Sequence, residues 1–295
     1  MKYLCFDIGG TFVKYGLFSE EGKVIVKNKF PTIHESAEAF IHSLAEIFFE
    51  LNEKEAIQGI GLSFPGFINT ETGEAILAGA LDHLHGKNVI HLLKKEIGDV
   101  DIVIENDANC AALAERFGGR ATDIDSFILM TLGTGIGGAI VEHGQVLHGH
   151  AFQAGEFGMM TVDYSAKSYQ TLHELASTSA LVRRYRDFYN IAETQEITGE
   201  SIFSDERTET QEILEQWAAY VSLAIFNVVC TLNPQKLLLG GGVSQNNQLL
   251  PLIEKSLQHH PHWKDFSVPI ETCYYYNDAG LIGALTLLLQ QKERN

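Results

Sequence analysis

This chain has little cysteine, a deficit of positive charge and no long apolar run. Its four cysteines, Cys5, Cys110, Cys230 and Cys273, are scattered, and none forms a Cys-x-x-Cys pair. That spacing suggests neither a zinc ribbon nor a disulfide framework. Lys and Arg number 21 against 38 Asp and Glu, for a formal net charge of −17. A polyanion would be repelled by such a surface, so no nucleic-acid partner is expected. An anionic nucleotide can still bind where backbone amides and a metal ion do the local work. The N-terminus lacks the basic, apolar and small-residue regions of a signal peptide. The longest uncharged stretch, Trp217 to Pro234, contains Ser222, Asn227 and Asn233. It reads as shorter than the ~20 apolar residues a membrane span needs, and so as a buried helix. No membrane partner is expected, and the cytoplasm is the expected compartment.

What is present is 295 residues, 45% of them hydrophobic, enough for two domains with real cores. Two glycine turns organise the chain: Asp7-Ile8-Gly9-Gly10-Thr11, and Gly133-Thr134-Gly135-Ile136-Gly137-Gly138. Each follows an apolar strand-like run and precedes another, then a turn and a third run. This repetition predicts a duplicated fold. Glycines at such turns let backbone N–H groups approach a phosphate chain. Helical spacing predicts helices over Ala37–Leu51, Val89–Ile97, Asn106–Phe117, Gln211–Leu232 and Asp278–Gln291. Strands are expected at Ile57–Phe64, Asp101–Glu105 and Lys236–Leu239, and a polar, helix-rich insert over roughly 165–210. The expected organisation is an α/β lobe over 1–118, with a C-terminal helix of about 279–295 packing back on it. A second α/β lobe then spans 119–278.

Five motifs now stand in order: the first glycine turn, Glu105-Asn106-Asp107-Ala108-Asn109, the second glycine turn, Ala154-Gly155-Glu156-Phe157-Gly158 and Gly240-Gly241-Gly242-Val243. Each alone is weak. Together they resemble the repressor/open-reading-frame/kinase (ROK) family of sugar kinases, across nearly the whole chain. The resemblance implies a two-lobed actin-like, ribonuclease-H-like ATPase fold, with ATP and sugar meeting in an interlobe cleft. It also implies a homodimer.

Phosphoryl transfer to a hydroxyl needs positioning, charge neutralisation and a base for the hydroxyl proton. Asp107 lies between a strand and a helix, where the plain reading is a helix N-cap. The resemblance makes it the base for the sugar 6-hydroxyl and makes Asn106 a ligand of sugar hydroxyls. Asp7 could organise Mg²⁺ near the phosphates through water, or simply cap its own turn. Gly9, Gly10, Thr11 and Lys14 are expected at the phosphates, Lys14 otherwise being a solvated charge. Gly133, Thr134, Gly135 and Gly137 would supply amides, and Gly240, Gly241 and Gly242 match the adenosine-binding segment. Gly66 matches a loop that holds sugar through its main chain, and Glu156 a sugar-binding carboxylate.

The chain also departs from the family pattern. Most members carry a histidine soon after this glutamate, then a cysteine-rich zinc segment. Here Glu156-Phe157-Gly158-Met159 is followed by a stretch with no cysteine. No structural zinc is expected. His148 and His150 make a His-x-His pair without a third ligand and read as loop residues. Met159 removes a polar contact near the anomeric position and suits an aglycone or second ring. The pattern resembles the family members that phosphorylate the 6-hydroxyl of the glucosyl unit in beta-glucosides such as cellobiose. The alternatives are a monosaccharide kinase for glucose, fructose or N-acetylmannosamine, and a non-catalytic sugar sensor. Aligning 172–177 with the family's later sugar-binding glutamate leaves His173 and Glu174 as alternatives, since neighbours on a helix point about 100° apart.

Overall fold

The computed structural model describes residues 1–165 and 167–294. Ala166, inside the expected insert, and Asn295, at the end of the expected last helix, lie outside the described residues. Two compact units emerge. The first comprises Met1–Thr122, His148–Ala154 and the C-terminal segment from Asn277. The second comprises Asp123–Leu147 and Gly155–Tyr276.

In the first unit, β1 (Lys2–Ile8), β2 (Phe12–Ser19) and β3 (Val24–Pro31) form an antiparallel meander. Helix α1 (Ala37–Asn52) follows, then β4 (Ile57–Phe64). The short strands β5 (Phe67–Asn69), β6 (Glu74–Leu77) and β7 (Lys87–Asn88) make a small separate sheet. Helix α2 (Val89–Ile97), β8 (Asp101–Asn106) and α3 (Asp107–Gly118) complete the α/β plan. The main sheet runs β3-β2-β1-β4-β8, with β1, β4 and β8 parallel. Helix α1 forms because Phe40, Ile41, Leu44, Ala45 and Phe48 share one face, and that face is buried. Ser36 caps it, accepting from the Ala39 N–H at 3.1 Å.

The second unit repeats the order. Its strands β9 (Phe127–Leu132), β10 (Ile136–Glu142) and β11 (Gln145–Val146) are antiparallel. A hairpin of β12 (Thr161–Asp163) and β13 (Gln170–Thr171) leads into α4 (Leu172–Ala176), α5 (Thr178–Tyr189) and α6 (Gly199–Phe203). Helix α7 (Thr208–Leu232) and β14 (Lys236–Gly240) come next, then α8 (Leu249–Gln258), α9 (Trp263–Phe266) and β15 (Ile270–Thr272). The sheet runs β11-β10-β9-β14-β15, with β9, β14 and β15 parallel. The predicted duplication is therefore written in the strand order.

Helix α7 corrects one expectation. At 25 residues it is long and apolar enough to cross a membrane by length and composition. It is a core helix all the same, because Leu214, Trp217, Val221, Ala224, Ile225 and Val229 are buried in the second unit's core. Trp217 Nε1 donates to the Ala176 carbonyl at 2.7 Å, so its one polar atom is satisfied. The final helix, α10 (Ala279–Arg294), packs on α3, β1 and β4.

Candidate active site

The register of the first sheet lines up a polar row at the carboxyl ends of its parallel strands. Asp7 pairs with Lys14 on one side and Ser63 on the other, and Ser63 pairs with Glu105. Open α/β sheets bind ligands outside these strand ends. Lys14 Nζ donates to Asp7 Oδ2 at 2.9 Å and to the Asn277 carbonyl at 3.0 Å. Ser63 Oγ donates to Asp7 Oδ1 at 3.1 Å. Lys14 is thus a paired, half-buried cation rather than a solvated charge.

The first glycine turn is pinned from outside itself. Gly9 donates its N–H to the Phe12 carbonyl at 3.1 Å. Thr32 Oγ1 donates to the Gly9 carbonyl at 2.7 Å, and His34 Nε2 lies 2.8 Å from the Gly10 carbonyl. Thr11 stays exposed at the tip. Thr32 and His34 went unnoticed in the sequence, because only the β2–β3 pairing brings them to the turn.

Asn106, not Asp107, is the N-cap of α3. Its Oδ1 accepts from the Ala108 and Asn109 N–H groups at 2.9 and 3.1 Å. Asp107 is the first helical residue, exposed, with Oδ1 accepting from the Ala108 N–H at 2.8 Å. The capping alternative for Asp107 is therefore taken by its neighbour. Asn106 Nδ2 also donates to the Gly66 carbonyl at 2.9 Å. Gly66 has φ of 93°, and a side chain there would overlap the Leu77 carbonyl, so this loop requires glycine. The buried Glu105 accepts from the Asn106 N–H at 2.7 Å and from Asn109 Nδ2 at 2.9 Å. Its other oxygen meets His148 Nε2 at 2.7 Å. His148, read as a loop residue, is the partner of a buried carboxylate. That bond raises its pKa above the usual imidazole value, against the opposing effect of burial.

In the second unit the glycine turn sits at the carboxyl end of β9, next to the end of β14. The Gly133 N–H donates to the Gly135 carbonyl at 3.0 Å, and the Gly137 N–H to Thr131 Oγ1 at 3.1 Å. These two amides are already engaged. Those of Thr134 and Gly135 have no acceptor among the described residues. Gly240, Gly241 and Gly242 close β14, and the Gly241 backbone runs against Leu132, where the second turn begins.

Close backbone packing places Glu156. A methyl at Gly158 would overlap the Ile136 carbonyl, so the glycine lets this segment lie against β10. The Glu156 carboxylate is half-buried and has no partner among the described residues; burial alone raises its pKa. Met159 is 59% exposed. Glu174, one of two alternatives for a sugar contact, is taken up by a capping box, accepting from the Thr171 N–H at 2.8 Å and Thr171 Oγ1 at 2.9 Å. His173 instead faces the glycine turn; a methyl at Gly135 would meet its ring at 3.0 Å.

A cavity of about 620 Å³ opens beside the second turn, lined by Thr134, Thr178, Val182, Arg186, Ile197 and Gly199. Its volume lies within the range of small-molecule sites, ~300–1,000 Å³. No sequence motif marks the α5–α6 wall of this cavity.

Among the described residues no group of three His, Cys, Asp or Glu side chains could hold a metal ion. Magnesium needs less, since it keeps several waters and binds one or two carboxylates plus phosphates. Asp7 at the first glycine turn fits that requirement.

Duplicated α/β units with glycine turns at their parallel strand ends define an actin-like ATPase fold built for phosphoryl transfer. The ROK family model matches residues 3–291, and the chain belongs to that family. A beta-glucoside kinase of Listeria monocytogenes is 32% identical over 100% of both chains. A glucokinase of Halalkalibacterium halodurans is 30% identical, covering 98% of this chain and 96% of that one. The crystal structure of a ROK family protein from Streptococcus pneumoniae in complex with sucrose gives a TM-score of 0.89, at 27% identity over 100% of both chains. The chain is an ATP-dependent carbohydrate kinase.

Proposed function

We propose that this kinase transfers the γ-phosphoryl group of ATP to the 6-hydroxyl of the glucosyl unit of beta-glucosides such as cellobiose. The observation that carries the chemistry is Asp107: an exposed carboxylate on the first residue of α3, directly after β8, with Asn106 rather than Asp107 as the N-cap. The sugar oxygen attacks the γ-phosphorus as its proton passes to Asp107, and the bond from phosphorus to the ADP oxygen breaks. A positioned base contributes typically ~10²–10⁴-fold to such a step. Asn106 has a second amide hydrogen to offer a sugar hydroxyl. Glu156 is assigned to sugar hydroxyls because its carboxylate is half-buried and unpaired among the described residues. Lys14, Thr11 and the amides of Thr134 and Gly135 are assigned to phosphate oxygens. The nucleoside is assigned to the cavity between the second turn and α5–α6. Asp7 would hold Mg²⁺, mainly through water, and the ion would neutralise phosphate charge.

The beta-glucoside preference rests on Met159 and on the name of the Listeria relative. An exposed thioether offers apolar, adaptable surface to a group attached at O1. A cytoplasmic location and a homodimer belong to the same reading. The test is ADP release with Mg-ATP across cellobiose, gentiobiose, a methyl beta-glucoside, glucose and N-acetylmannosamine, with the product phosphate located by NMR. Higher kcat/KM for the beta-glucosides, with phosphate on O6 of the non-reducing ring, is expected. Preference for a free monosaccharide would sink the glucoside assignment and leave Met159 as a space-filler.

A further inference from the structure

We propose that His148 is a positioning residue for phosphoryl transfer, acting through Glu105 on the Asn106–Asp107 turn. The inference rests on the reading of Asp107 as the base. Glu105 is a carboxylate whose side chain is only 2% exposed. A buried charge is costly unless paired and hydrogen-bonded. Glu105 meets that condition with three partners: the Asn106 N–H, Asn109 Nδ2 and His148 Nε2. The first two lie on either side of Asp107 in the chain. The third comes from a distant segment, His148–Ala154, which belongs to the same unit.

That segment is shaped to present the ring. The Ala154 N–H donates to the His148 carbonyl at 3.1 Å, and the Phe152 ring lies with its centroid 6.0 Å from the imidazole. Beside Glu105 and His148 is a cavity of about 320 Å³, also lined by Thr70, Glu71 and Gln290. Without the imidazole, the Glu105 carboxylate has room to swing toward that space. Its bond to the Asn106 N–H would go with it, and so would the setting of the cap that orients Asp107. Besides Glu105, Glu71 is the charged group that acts on His148, and both favour the imidazolium. The imidazolium is the stronger donor to Glu105.

The test is steady-state kinetics of the full chain for His148→Ala, His148→Gln and Asp107→Asn, with thermal unfolding of each. A misplacement of about 1 Å can cost ~10²-fold, so a partial shift is expected to lower kcat of His148→Ala by roughly 10-fold. KM for Mg-ATP and for sugar should stay within about twofold, since the change falls on the reacting geometry. His148→Gln, whose amide can donate to Glu105, should recover most of kcat. Wild-type kcat in His148→Ala, even with a lowered melting temperature, overturns the proposal, and so does an equal kcat loss in both variants. Turnover retained in Asp107→Asn would instead overturn the reading of the base. An inactive Asp107→Asn beside a fully active His148→Ala removes the positioning role alone.

Discussion

Lys14 Nζ lies 2.9 Å from Asp7 Oδ2, and the two residues are direct cross-strand partners in the β1–β2 pair. The pair places a cation and an anion side by side at the mouth of the first glycine turn. Replacing Lys14 by Met removes the cation while keeping the stem. We expect KM for Mg-ATP to rise about tenfold, equivalent to ~1.4 kcal/mol, with sugar affinity unchanged by calorimetry. An unchanged KM for ATP would mean that Lys14 only neutralises Asp7.

Gly280, at the start of α10, closes over the same carboxylate. A methyl there would overlap Asp7 Oδ1 and approach Ser63 Oγ at 2.9 Å. Either α10 moves, or Asp7 abandons its bond to Ser63. Gly280→Ala should lower kcat/KM for ATP by at least about tenfold and lower the melting temperature, as overpacking costs typically ~1–3 kcal/mol. Full activity in this variant would show that the Asp7 position is not critical.

Glu156 gives a pH signature. Burial raises its carboxyl pKa above the ordinary 4.5, so it protonates earlier than usual as pH falls. The ionised form accepts sugar hydroxyls and the protonated form gives up part of that capacity. KM for sugar should therefore rise as pH falls through the raised value. In Glu156→Gln that dependence should flatten, with sugar binding weaker throughout the neutral range. A wild-type KM profile in the variant would remove Glu156 from the sugar site.

His148 makes a stability prediction of opposite sign. Its folded pKa is raised above the unfolded 6.5 by the bond to Glu105. The contribution of that bond to stability is complete below the unfolded value and is lost as pH rises through the folded one. The stability difference between wild type and His148→Ala, from urea unfolding, should be larger near about pH 5.5 than near about pH 9. A difference independent of pH would contradict a charged pair.

Long elements with clear periodicity were legible in the sequence. Helix α2 spans Val89–Ile97 as predicted, and β4 ends at Phe64 before Pro65-Gly66. The duplication was also legible, because each glycine turn sits between two apolar runs. The β12–β13 hairpin was not, since strands of three and two residues carry no alternation to read. Helix α8 and β15 lie where periodicity offered no assignment. In the site, the motifs marked Asp7, Asn106, Asp107 and Glu156, because strand-to-helix and glycine turns leave local patterns. Ser63, which bonds Asp7, Thr32 and His34, which bond the Gly9 and Gly10 carbonyls, and His148, which bonds Glu105, are brought in by register and by a returning loop. No local pattern announces them. Glu174 shows a related ambiguity: a glutamate three residues after a threonine suits a helix cap as well as a ligand, and here its carboxylate caps α4.

Asp107→Asn is the direct test of the central claim. The amide keeps the size and the position at the start of α3 but cannot take the hydroxyl proton. Cellobiose and Mg-ATP binding should persist by calorimetry, while ADP release falls by about 10²-fold or more. Turnover near the wild-type rate, with both substrates bound, would contradict Asp107 as the base.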